Sequence, residues 1–386
     1  MINKILDLGL HPLADSFLRK NQIKNEKKKK LECFINTKTN KIFLKSKFEA
    51  NYRYNNVNYS YTSSNSNLSK KHWKSFYKNV SKKYQIKNKK ILEIGSNDGF
   101  LLKLFQQNNS ILGVDSSQEM VKLALKNKIP SLKNTFNTKT SNQIKKKYGN
   151  FDLIIANHVL NHADNDLNFL SGCKNLLKTD SILIIEVPYW GYQVKNYLFD
   201  QIYHEHRNYY TIAYFNYLQK KLNLKIIDLE MNNYHGKSIR VFFSKSNSFH
   251  SSYKNLNKLL SSEIDLKLND LNTYKVFQDK IQKYKKKLLN KISKLPSKSN
   301  LIAVGASAKG NTFLNYMGLD CNVIKAVTDN SKFKLGKYTP GSHIKIYKDN
   351  IFRNSGKVYA IILSWNFNKM LKKKVLFYNK KVKFIR

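Results

Sequence analysis

The segment Ile91–Phe100, which reads ILEIGSNDGF, constrains the fold more than any other part of this sequence. Its first residues are apolar and predict a short buried strand. Gly95 and Gly99 then bracket a turn, and the following FLLKLF resumes the apolar spacing of a helix. A strand, a glycine-containing turn and a helix N-terminus bring bare backbone N–H groups close to a ligand. The segment therefore predicts an α/β unit with a ligand-binding turn.

A second apolar run ends in Asp115, about 20 residues after this turn. In nucleotide-binding α/β folds a carboxylate at that place usually accepts hydrogen bonds from ribose hydroxyls. The turn is not the dinucleotide pattern GxGxxG, because Ser96, Asn97 and Asp98 separate only two glycines. The pattern E-x-G-x-x-x-G with a downstream acid resembles the glycine loop of class I methyltransferases, which hold S-adenosylmethionine. The competing interpretation is an ordinary strand–helix turn whose glycines only satisfy the geometry.

Strands and helices alternate through residues 90–187, with predicted strands at ILEIG, SILGVD, FDLIIAN and SILIIEV. Such alternation predicts a parallel sheet covered by helices on both faces. Ligands of these sheets lie beyond the carboxyl ends of the strands. We therefore expect Gly95, Asp115, Asn157 and Glu186 on one rim of the sheet.

A second α/β unit begins at Asn300, where LIAVGASAKGNTF reads as a strand, a turn of small residues and a helix. The Lys-rich stretch 253–295 before it predicts a connecting helix or helix pair. The turn Gly305–Gly310 resembles a nucleotide or pyrophosphate cradle, with Lys309 as a point charge. It lacks the full GxGxxG, so it is a weak signal by itself.

Length and hydropathy limit the classes of protein to consider. The chain has 386 residues, of which 41% are apolar, so two or three domains with real cores are expected. It contains no run of eighteen apolar residues, and we expect no membrane span. The first residues lack the apolar core and cleavage site of a signal peptide. A cytoplasmic location is the resulting expectation.

The formal net charge of +45 has two interpretations. A field of this sign attracts phosphates and is typical of nucleic-acid-binding proteins. Alternatively the charge reflects compositional drift, because the lysines are scattered along every segment and outnumber the arginines. We favour drift, expect no nucleic-acid partner, and regard small anionic substrates as a secondary beneficiary of the charge.

Two histidine-containing segments suggest proton chemistry. NHVLNH carries His158 and His162 four residues apart, which suits a metal pair, a single catalytic or substrate-binding histidine, or a plain surface histidine. YHEHRNYY, residues Tyr203–Tyr210, concentrates Tyr, His, Glu and His. An imidazole with a pKa near 6.5 can act as a base at neutral pH. The alternative for YHEH is a hydrogen-bonded surface cluster.

These segments together resemble the three-domain, S-adenosylmethionine-dependent sugar C-methyltransferases, which act on nucleotide-linked deoxysugars of the 3-C-methyl type. The segments similar to those of the family are LDLGLHPLADSFL, YSYTSSNS, ILEIGSNDGFLL, ANHVLNHADNDLNFL, EVPYW with DQIYHEHRNYY, VGASAKGNTFLN, YTPGSHIKI and LSWNF. The match runs nearly from end to end, and YHEH combined with GASAKGNT is very specific. The resemblance implies a class I methyltransferase (Rossmann-like) domain, a small N-terminal lobe and a second C-terminal α/β Rossmann-like domain. We place the N-terminal lobe at residues 1–58, the methyltransferase domain at residues 59–250, and the linker helices with the C-terminal domain at residues 251–386.

The resemblance also implies roles for individual residues. His206 would be the base that removes a proton beside a ketone, with Tyr203 and Glu205 flanking it, and His162 and Tyr61 completing the site. The tyrosine assignment could shift to Tyr59. The implied S-adenosylmethionine-binding residues are Gly95, Ser96, Asn97, Gly99, Asp115 and Asn157. The implied substrate-binding residues are Lys309, Asn311 and His235.

One departure concerns zinc. The family usually carries a four-cysteine zinc knot near the N-terminus, whereas Cys33, Cys173 and Cys321 lie far apart and form no CxxC pair. We therefore expect neither a disulfide framework nor a structural zinc, and no catalytic metal. The N-terminal lobe must then be held by packing on the methyltransferase domain.

The implied reaction is transfer of a methyl group to a carbon alpha to a ketone of a nucleotide-linked keto-deoxysugar, through an enolate. Two alternatives are a nucleic-acid methyltransferase and a non-catalytic nucleotide-sugar-binding protein. The first lacks the Asx-Pro-Pro-aromatic motif and a Pro-Cys nucleophile, and the second is suggested only by the missing cysteines. A monomer or homodimer is expected.

Overall fold

The computed structural model describes residues 1–49, 52–53, 62–64, 66–297, 299–354 and 356–385, without the side chains of His235 and Asn354. The N-terminal part forms an antiparallel sheet. Its strands are β1 (Ile2–His11), β2 (Lys29–Asn36) and β3 (Lys41–Leu44). β1 pairs with β2, and β2 pairs with β3.

A mixed sheet of seven strands forms the centre of the molecule. Its strands are β4 (Lys90–Ile94), β5 (Ser110–Asp115), β6 (Ser131–Lys133), β7 (Phe151–Asn157), β8 (Leu177–Pro188), β10 (Leu224–Asn232) and β11 (Ser238–Lys245). The strand between β8 and β10 in the chain, β9 (Asn208–Tyr209), belongs to the N-terminal sheet. The order in the sheet is β10-β11-β8-β7-β4-β5-β6, and β11 runs antiparallel to both neighbours. The four strands predicted from alternation are all present, and the class I methyltransferase fold is confirmed. The order in which strands are added reverses at β4, because β5 and β6 lie on one side of it and β7 and β8 on the other, and such sheets bind ligands at this switch point.

Helices cover this sheet, and five of the seven described here begin at a side chain that accepts a backbone hydrogen bond. They are α1 (Asn67–Lys83), α2 (Phe100–Phe105), α3 (Gln118–Lys126), α4 (Thr138–Tyr148), α5 (Asp166–Leu176), α6 (Trp190–Lys195) and α7 (Ile212–Lys221). Ser66 caps α1 by accepting from the Ser69 N–H, and Ser117 caps α3 in the same way. α2 instead follows Gly99, whose φ of 77° is left-handed.

The C-terminal part confirms the predicted second α/β domain. Its elements are α8 (Leu256–Asp265), α9 (Leu271–Ser293), β12 (Asn300–Val304), α10 (Ala308–Met317), β13 (Ala326–Thr328), β14 (Ile346–Tyr347), β15 (Val358–Ile362), α11 (Asn368–Tyr378) and β16 (Lys383–Ile385). The sheet order is β14-β13-β12-β15-β16, and every pair is parallel. The stretch before β12 is a helix pair.

Short 3-10 helices connect these elements. They are Lys20–Asn25, Gln106–Asn108, Leu160–His162, Phe199–Gln201, Tyr234–Gly236, Asp349–Asn354 and Trp365–Phe367. In the described ranges, no helix combines the length and apolarity that a membrane crossing requires.

The N-terminal sheet shares its core with the other two parts. Cys33 and Ile42 belong to one buried apolar cluster with Trp190, Phe277 and Leu314. β3 also pairs with β9, so a two-residue strand from the methyltransferase region completes the N-terminal sheet. An extended sheet this small cannot bury enough apolar surface by itself. It is therefore held by packing on the methyltransferase domain, on α9 and on the C-terminal domain.

Cysteine placement bears on the expected lack of zinc. Cys33 and Cys173 are buried and Cys321 is exposed, and all three are free. Within the described residues, no three His, Cys, Asp or Glu side chains form a group suited to a metal ion.

Chelation should therefore leave the fold intact. A structural zinc would stabilise the fold by mass action, and its removal would lower the Tm. Because we expect no structural zinc, incubation with EDTA and 1,10-phenanthroline should change the Tm by less than about 1 °C. Differential scanning fluorimetry with metal analysis measures this. A fall of several degrees that added zinc reverses would contradict the expectation.

Candidate active site

The turn after β4 is packed so closely that only glycine fits. Gly95 has φ of +70°, and a Cβ there would lie 2.2 Å from Cγ2 of Val159. Gly99 has φ of +77°, and its Cβ would lie 2.9 Å from Cγ1 of Ile129. Both glycines are therefore required by backbone conformation and by neighbouring side chains. Val159 and Ile129 thereby fix the path of the loop backbone at these two positions.

Asp115 lies against the same loop at the end of β5. Its Oδ2 accepts from the Asn97 N–H at 2.9 Å, and its Oδ1 accepts from the Ser117 N–H at 2.8 Å. Burial raises the pKa of Asp115, and these backbone hydrogen bonds oppose that rise. Each carboxylate oxygen can accept a further hydrogen bond, so Asp115 can also take a ribose hydroxyl.

Asn157, the last residue of β7, provides a further sign of a ligand. The side-chain oxygen and nitrogen of Asn157 are both buried and have no hydrogen-bond partner among the described residues, and the Ser96 hydroxyl is in the same state. Buried polar groups are almost always paired in native proteins. The glycine loop, Asp115 and these unpaired groups therefore fit S-adenosylmethionine, whose adenosine and amino-acid parts offer matching donors and acceptors.

The segment 157–162 joins this loop to the histidines. Val159 fills the space beside Gly95, and His158 donates its backbone N–H to the Glu186 carbonyl at 2.6 Å. The rings of His162 and His206 lie 5.0 Å apart between centroids, edge to face. One short segment therefore contacts both the cofactor loop and the imidazole expected to act as base.

His206 forms a close pair with Tyr203. The Nδ1 of His206 lies 3.0 Å from the Gln201 carbonyl, which can only accept, so Nδ1 carries the proton. Its Nε2 therefore accepts from the Tyr203 hydroxyl, at 2.5 Å. Burial holds the pKa of His206 well below 6.5, and the neighbouring His162 lowers it further. The imidazole is thus neutral at physiological pH, with its lone pair at Nε2.

His162 is the second buried imidazole of this site. Burial lowers the pKa of His162 to about 3, and the Arg53 guanidinium contributes. Its Nδ1 has no hydrogen-bond partner within the described part of the chain. A hydrogen bond to the Glu205 backbone opposes this lowering of the pKa. The His162 ring is therefore neutral, and Nδ1 offers a ligand an acceptor, or a donor in the other tautomer.

Glu205 lies elsewhere than beside the imidazole. Its carboxylate oxygens accept from the backbone N–H groups of Ala14 and Asp15 at 3.2 and 2.8 Å. The structure thus places it against the N-terminal lobe, although sequence reasoning put it next to His206. Burial raises the pKa of Glu205 to about 7. Asn311, expected to bind substrate, similarly donates from Nδ2 to the Ala14 carbonyl at 2.6 Å.

Lys309 approaches the histidines from the C-terminal domain. Its ammonium lies 5.1 Å from the centroid of the Trp365 ring, and its charge lowers the pKa of His206. Burial lowers the pKa of Lys309 to about 8, opposed by Asp200. Asp200 accepts from the Trp365 indole N–H at 2.5 Å, and burial raises the pKa of Asp200 to about 6.

Sequence reasoning missed Asp200 and Trp365 as members of the site. Both lie in segments similar to the family's, DQIYHEH and LSWNF, but an isolated Asp and Trp carry no spacing signal. His235 lies in the 3-10 helix Tyr234–Gly236, and its side chain is not described. Tyr59 and Tyr61 lie outside the described residues.

Glu186, expected on the rim, is a buried centre of charge. Its Oε1 lies 3.2 Å from Nε2 of His72 and 3.1 Å from Nε2 of His158. Its Oε2 accepts from Arg240 at 2.6 and 2.8 Å. Burial opposes ionisation, yet Arg240 and the two imidazoles hold the pKa of Glu186 well below its usual range. This network fixes the orientation of His158 rather than presenting a free carboxylate.

Comparisons with known proteins agree with this geometry. Residues 66–229 match a family described as a methyltransferase domain, and residues 233–386 match one described as a C-methyltransferase C-terminal domain. C-methyltransferase NovU of Streptomyces niveus is 26% identical over 279 residues, which are 72% of this chain and 66% of that protein. The match thus spans just under two thirds of the length of this relative.

Solved structures with similar parts are more distant. Magnesium protoporphyrin IX methyltransferase (ChlM) from Synechocystis PCC 6803, with bound SAM, is 14% identical with a TM-score of 0.36, over 46% of this chain and 79% of that one. A putative sarcosine dimethylglycine methyltransferase from Galdieria sulphuraria is 12% identical with a TM-score of 0.37, over 47% and 88%.

Replacing Gly95 with Ala should weaken S-adenosylmethionine binding by at least about 10-fold, because the new methyl group meets Val159 and the left-handed backbone is strained. Isothermal titration calorimetry measures the affinity. Gly318→Ala is the matched control, since Gly318 has φ of +73° but nothing within 4 Å of an added Cβ. Equal affinity in both variants would contradict the assigned role of the loop.

Glu205 should make stability fall as pH rises. Its pKa is about 7 in the folded chain and 4.5 when unfolded, so its contribution is present below about pH 4.5 and lost by about pH 7. The size of this loss is up to about 3 kcal/mol. We therefore expect the free energy of unfolding, measured with urea, to decrease less between about pH 5 and about pH 8 for Glu205→Gln than for the unaltered protein. Parallel decreases in the two proteins would argue against a raised pKa.

Proposed function

We propose that this chain is an S-adenosylmethionine-dependent C-methyltransferase that methylates a carbon alpha to a ketone in a nucleotide-linked keto-deoxysugar. The two matched domain families and the similarity to C-methyltransferase NovU support this proposal. The observation that supports this proposal best is the Tyr203–His206 pair, a neutral buried imidazole that lies next to the segment packed on the cofactor loop. Methylation at carbon needs a base at such a position, because the base forms the enolate that attacks the methyl group. Methylation of an exposed hydroxyl or amine needs no enolate.

The cofactor site would be formed by Gly95, Asn97, Gly99, Asp115 and Asn157. Backbone N–H groups of the loop and the Asp115 carboxylate would hold the amino-acid and ribose parts, and Asn157 would satisfy its unpaired amide on the ligand. When bound, S-adenosylmethionine supplies a methyl group that is activated by a positively charged sulfur. The protein therefore only has to generate and orient a carbon nucleophile.

His206 would generate that nucleophile. Its Nε2 removes the proton from the carbon beside the ketone, and the electrons of the C–H bond move into an enolate. That carbon would accept the methyl group that S-adenosylmethionine supplies, and the His206 imidazolium would return its proton to solvent. Positioned base catalysis contributes roughly 10²–10⁴-fold to rate. A low pKa keeps the imidazole neutral but makes it a weak base, so the enolate oxygen must be stabilised strongly.

Tyr203 and His162 would supply that stabilisation. The Tyr203 hydroxyl, which donates to Nε2 here, would donate to the ketone oxygen once substrate is bound, and this exchange would free the Nε2 lone pair. The unpaired Nδ1 of His162 is a second group near the same imidazole. One donor of this type in a dry site is worth about 3–4 kcal/mol. Tyr61 remains a further candidate donor from sequence reasoning.

Lys309 would provide positive charge on the substrate side. It is mostly protonated at neutral pH, since its pKa stays near 8. Its charge acts on both His206 and His158, so it lies close enough to attract an anionic enolate or the phosphates of the substrate. The C-terminal domain would thereby complete a site that begins in the methyltransferase domain.

His206→Ala should reduce kcat by roughly 10²–10⁴-fold and leave S-adenosylmethionine affinity unchanged, because only the base is removed. The assay uses labelled S-adenosylmethionine and a panel of nucleotide-linked 4-keto-6-deoxysugars, with products identified by mass spectrometry. Tyr203→Phe removes the hydrogen-bond donor but keeps the base, so we expect a smaller decrease in kcat than for His206→Ala. His250→Ala is the control, since the Nε2 of His250 bonds the Asp180 carbonyl and His250 belongs to none of the segments of the site.

Normal turnover by His206→Ala with cofactor bound would rule out His206 as the base. Methyl transfer to duplex DNA or RNA in a salt-sensitive manner would instead favour the nucleic-acid alternative. If the protein binds nucleotide sugars but no S-adenosylmethionine, the non-catalytic alternative would hold.

A further inference from the structure

The turn between β10 and β11 reaches two side chains of the candidate active site. Its 3-10 helix, Tyr234–Gly236, ends in a glycine with φ of +85°. A Cβ added to Gly236 would lie 2.5 Å from Cη2 of Trp365 and 3.0 Å from Nε2 of Gln201, the residue whose carbonyl accepts from His206. The bare backbone at Gly236 therefore approaches both the C-terminal domain and the residue that orients the proposed base.

This turn is anchored in the methyltransferase domain. The ring of Tyr234 stacks on the ring of His72, with centroids 3.8 Å apart and an interplanar angle of 5°. The Tyr234 hydroxyl donates to the Ser69 hydroxyl at 3.1 Å, and the Ser238 hydroxyl donates to the Tyr234 carbonyl at 2.9 Å. Residues on both sides of Gly236 are therefore held, and the turn cannot withdraw from a larger side chain without disturbing these contacts.

Trp365 links this turn to Lys309. The Lys309 ammonium lies 5.1 Å from the centroid of the indole ring, and the indole N–H donates to Asp200 at 2.5 Å. Gly236 approaches the outer edge of the same ring, at Cη2 and Cζ2. One rigid ring therefore contacts the turn, a cation and a carboxylate.

The backbone that leads into Trp365 is packed against the helix that carries Lys309. A Cβ added to Gly310 of that helix would lie 2.7 Å from Cβ of Leu363. The Leu363 N–H also donates to the Val304 carbonyl, at the end of β12, at 2.9 Å. A displacement of Trp365 is therefore transmitted to Lys309, because close-packed groups have no void to absorb it.

The charge of Lys309 acts on several groups of the site. The Asp200 carboxylate opposes the burial that lowers the pKa of Lys309 to about 8. Lys309 in turn lowers the pKa of His206 and of His158. The position of this one ammonium therefore affects the proton chemistry of the site.

Two further charges approach the loop that precedes Lys309. The Ala306 N–H donates to Asp329 at 3.0 Å, and the Lys334 ammonium donates to the Ala306 carbonyl at 2.6 Å. Asp329 and Lys334 lie 3.9 Å apart and compensate each other. Asp200 is therefore the carboxylate that opposes the charge of Lys309.

We propose that Gly236 and Trp365 are positioning residues that together set the separation between the Lys309 ammonium and the His206 imidazole. The inference rests on the proposed function, in which Lys309 attracts an anionic enolate or the phosphates of the substrate. The energy of two charges depends on the distance between them, so a displaced ammonium would stabilise that negative charge less. The effect should appear in the reaction of the nucleotide sugar and not in the binding of S-adenosylmethionine.

The first test is a double-mutant cycle that measures kcat/KM for the nucleotide-linked 4-keto-6-deoxysugar that the unaltered protein methylates best. Gly236→Ala should lower kcat/KM by about 10-fold or more, because its methyl group displaces the indole ring. In the Trp365→Phe background it should lower kcat/KM by less than about 3-fold, since the smaller ring lacks the atoms that the methyl group meets. Gly318→Ala is the matched control: Gly318 follows the helix that carries Lys309 and has φ of +73°, but nothing lies within 4 Å of an added Cβ.

The second test separates positioning from a purely structural effect. Lys309 is protonated below its pKa of about 8, so kcat/KM should fall as the pH rises through this value. Trp365→Phe removes the hydrogen bond that stabilises the Asp200 anion, which weakens the counter-charge of Lys309. The basic limb of the profile should therefore move to lower pH by about half a pH unit or more, whereas Gly318→Ala should leave it in place.

A third measurement needs no substrate. Competitive labelling of the full chain with acetic anhydride, followed by mass spectrometry of the peptide that contains Lys309, gives the midpoint of its titration. This midpoint should move in the same direction in Trp365→Phe. Calorimetry with S-adenosylmethionine and thermal unfolding check that each variant is folded, and Trp365→Phe decides the test if Gly236→Ala does not fold.

The outcomes separate this inference from the proposed function. If Gly236→Ala lowers kcat/KM equally in both backgrounds, or no more than Gly318→Ala does, the positioning role is overturned and the proposed function stands. An unchanged titration midpoint of Lys309 in Trp365→Phe would also overturn it. If the unaltered protein methylates no nucleotide sugar, the proposed function fails, and the labelling still decides whether Trp365 sets the environment of Lys309.

Discussion

The packing of Val159 against Gly95 is the contact on which the arrangement of the site depends. It leaves no room for a Cβ at Gly95, so the cofactor loop and the segment 157–162 share a fixed separation. The same segment ends in His162, whose ring lies edge to face with that of His206. A cofactor position and an imidazole position are thereby set relative to one another by one apolar side chain. Close-packed interiors transmit such constraints because they contain few voids.

Buried charges around this segment are paired in a way that keeps it in place. Glu186 joins His72, His158 and Arg240 below the loop. Removing one partner from such a group would leave an uncompensated charge in the interior, which is costly. Lys309 of the C-terminal domain and Asp200 interact through their opposite charges. Ionised groups in the described site are thus used in pairs, while His162 and His206 are kept neutral by burial.

The N-terminal lobe is integrated by hydrogen bonds where a metal would otherwise be expected. Glu205 and Asn311 hold Ala14 from two different domains, and Glu26 reaches Gly341 and His343. Cys33 packs in a core shared with Trp190 and Phe277 instead of ligating a metal. The consequence is that the lobe cannot move freely with respect to the histidines.

The amino-acid sequence by itself determined the two α/β units, the glycine turn and Asp115 at the strand end, and it predicted a site at YHEH, because these follow from local periodicity and from chemically distinctive residue types. Only the tertiary structure decided which neighbours each side chain meets. Glu205 contacts residues about 190 positions away, Asp200 meets Trp365, and the Nε2 of His206 faces Tyr203. Adjacent residues in a loop point in different directions, so chain proximity in YHEH does not imply a shared site. Long-range contacts of this kind depend on how domains pack, and local spacing carries no information about that.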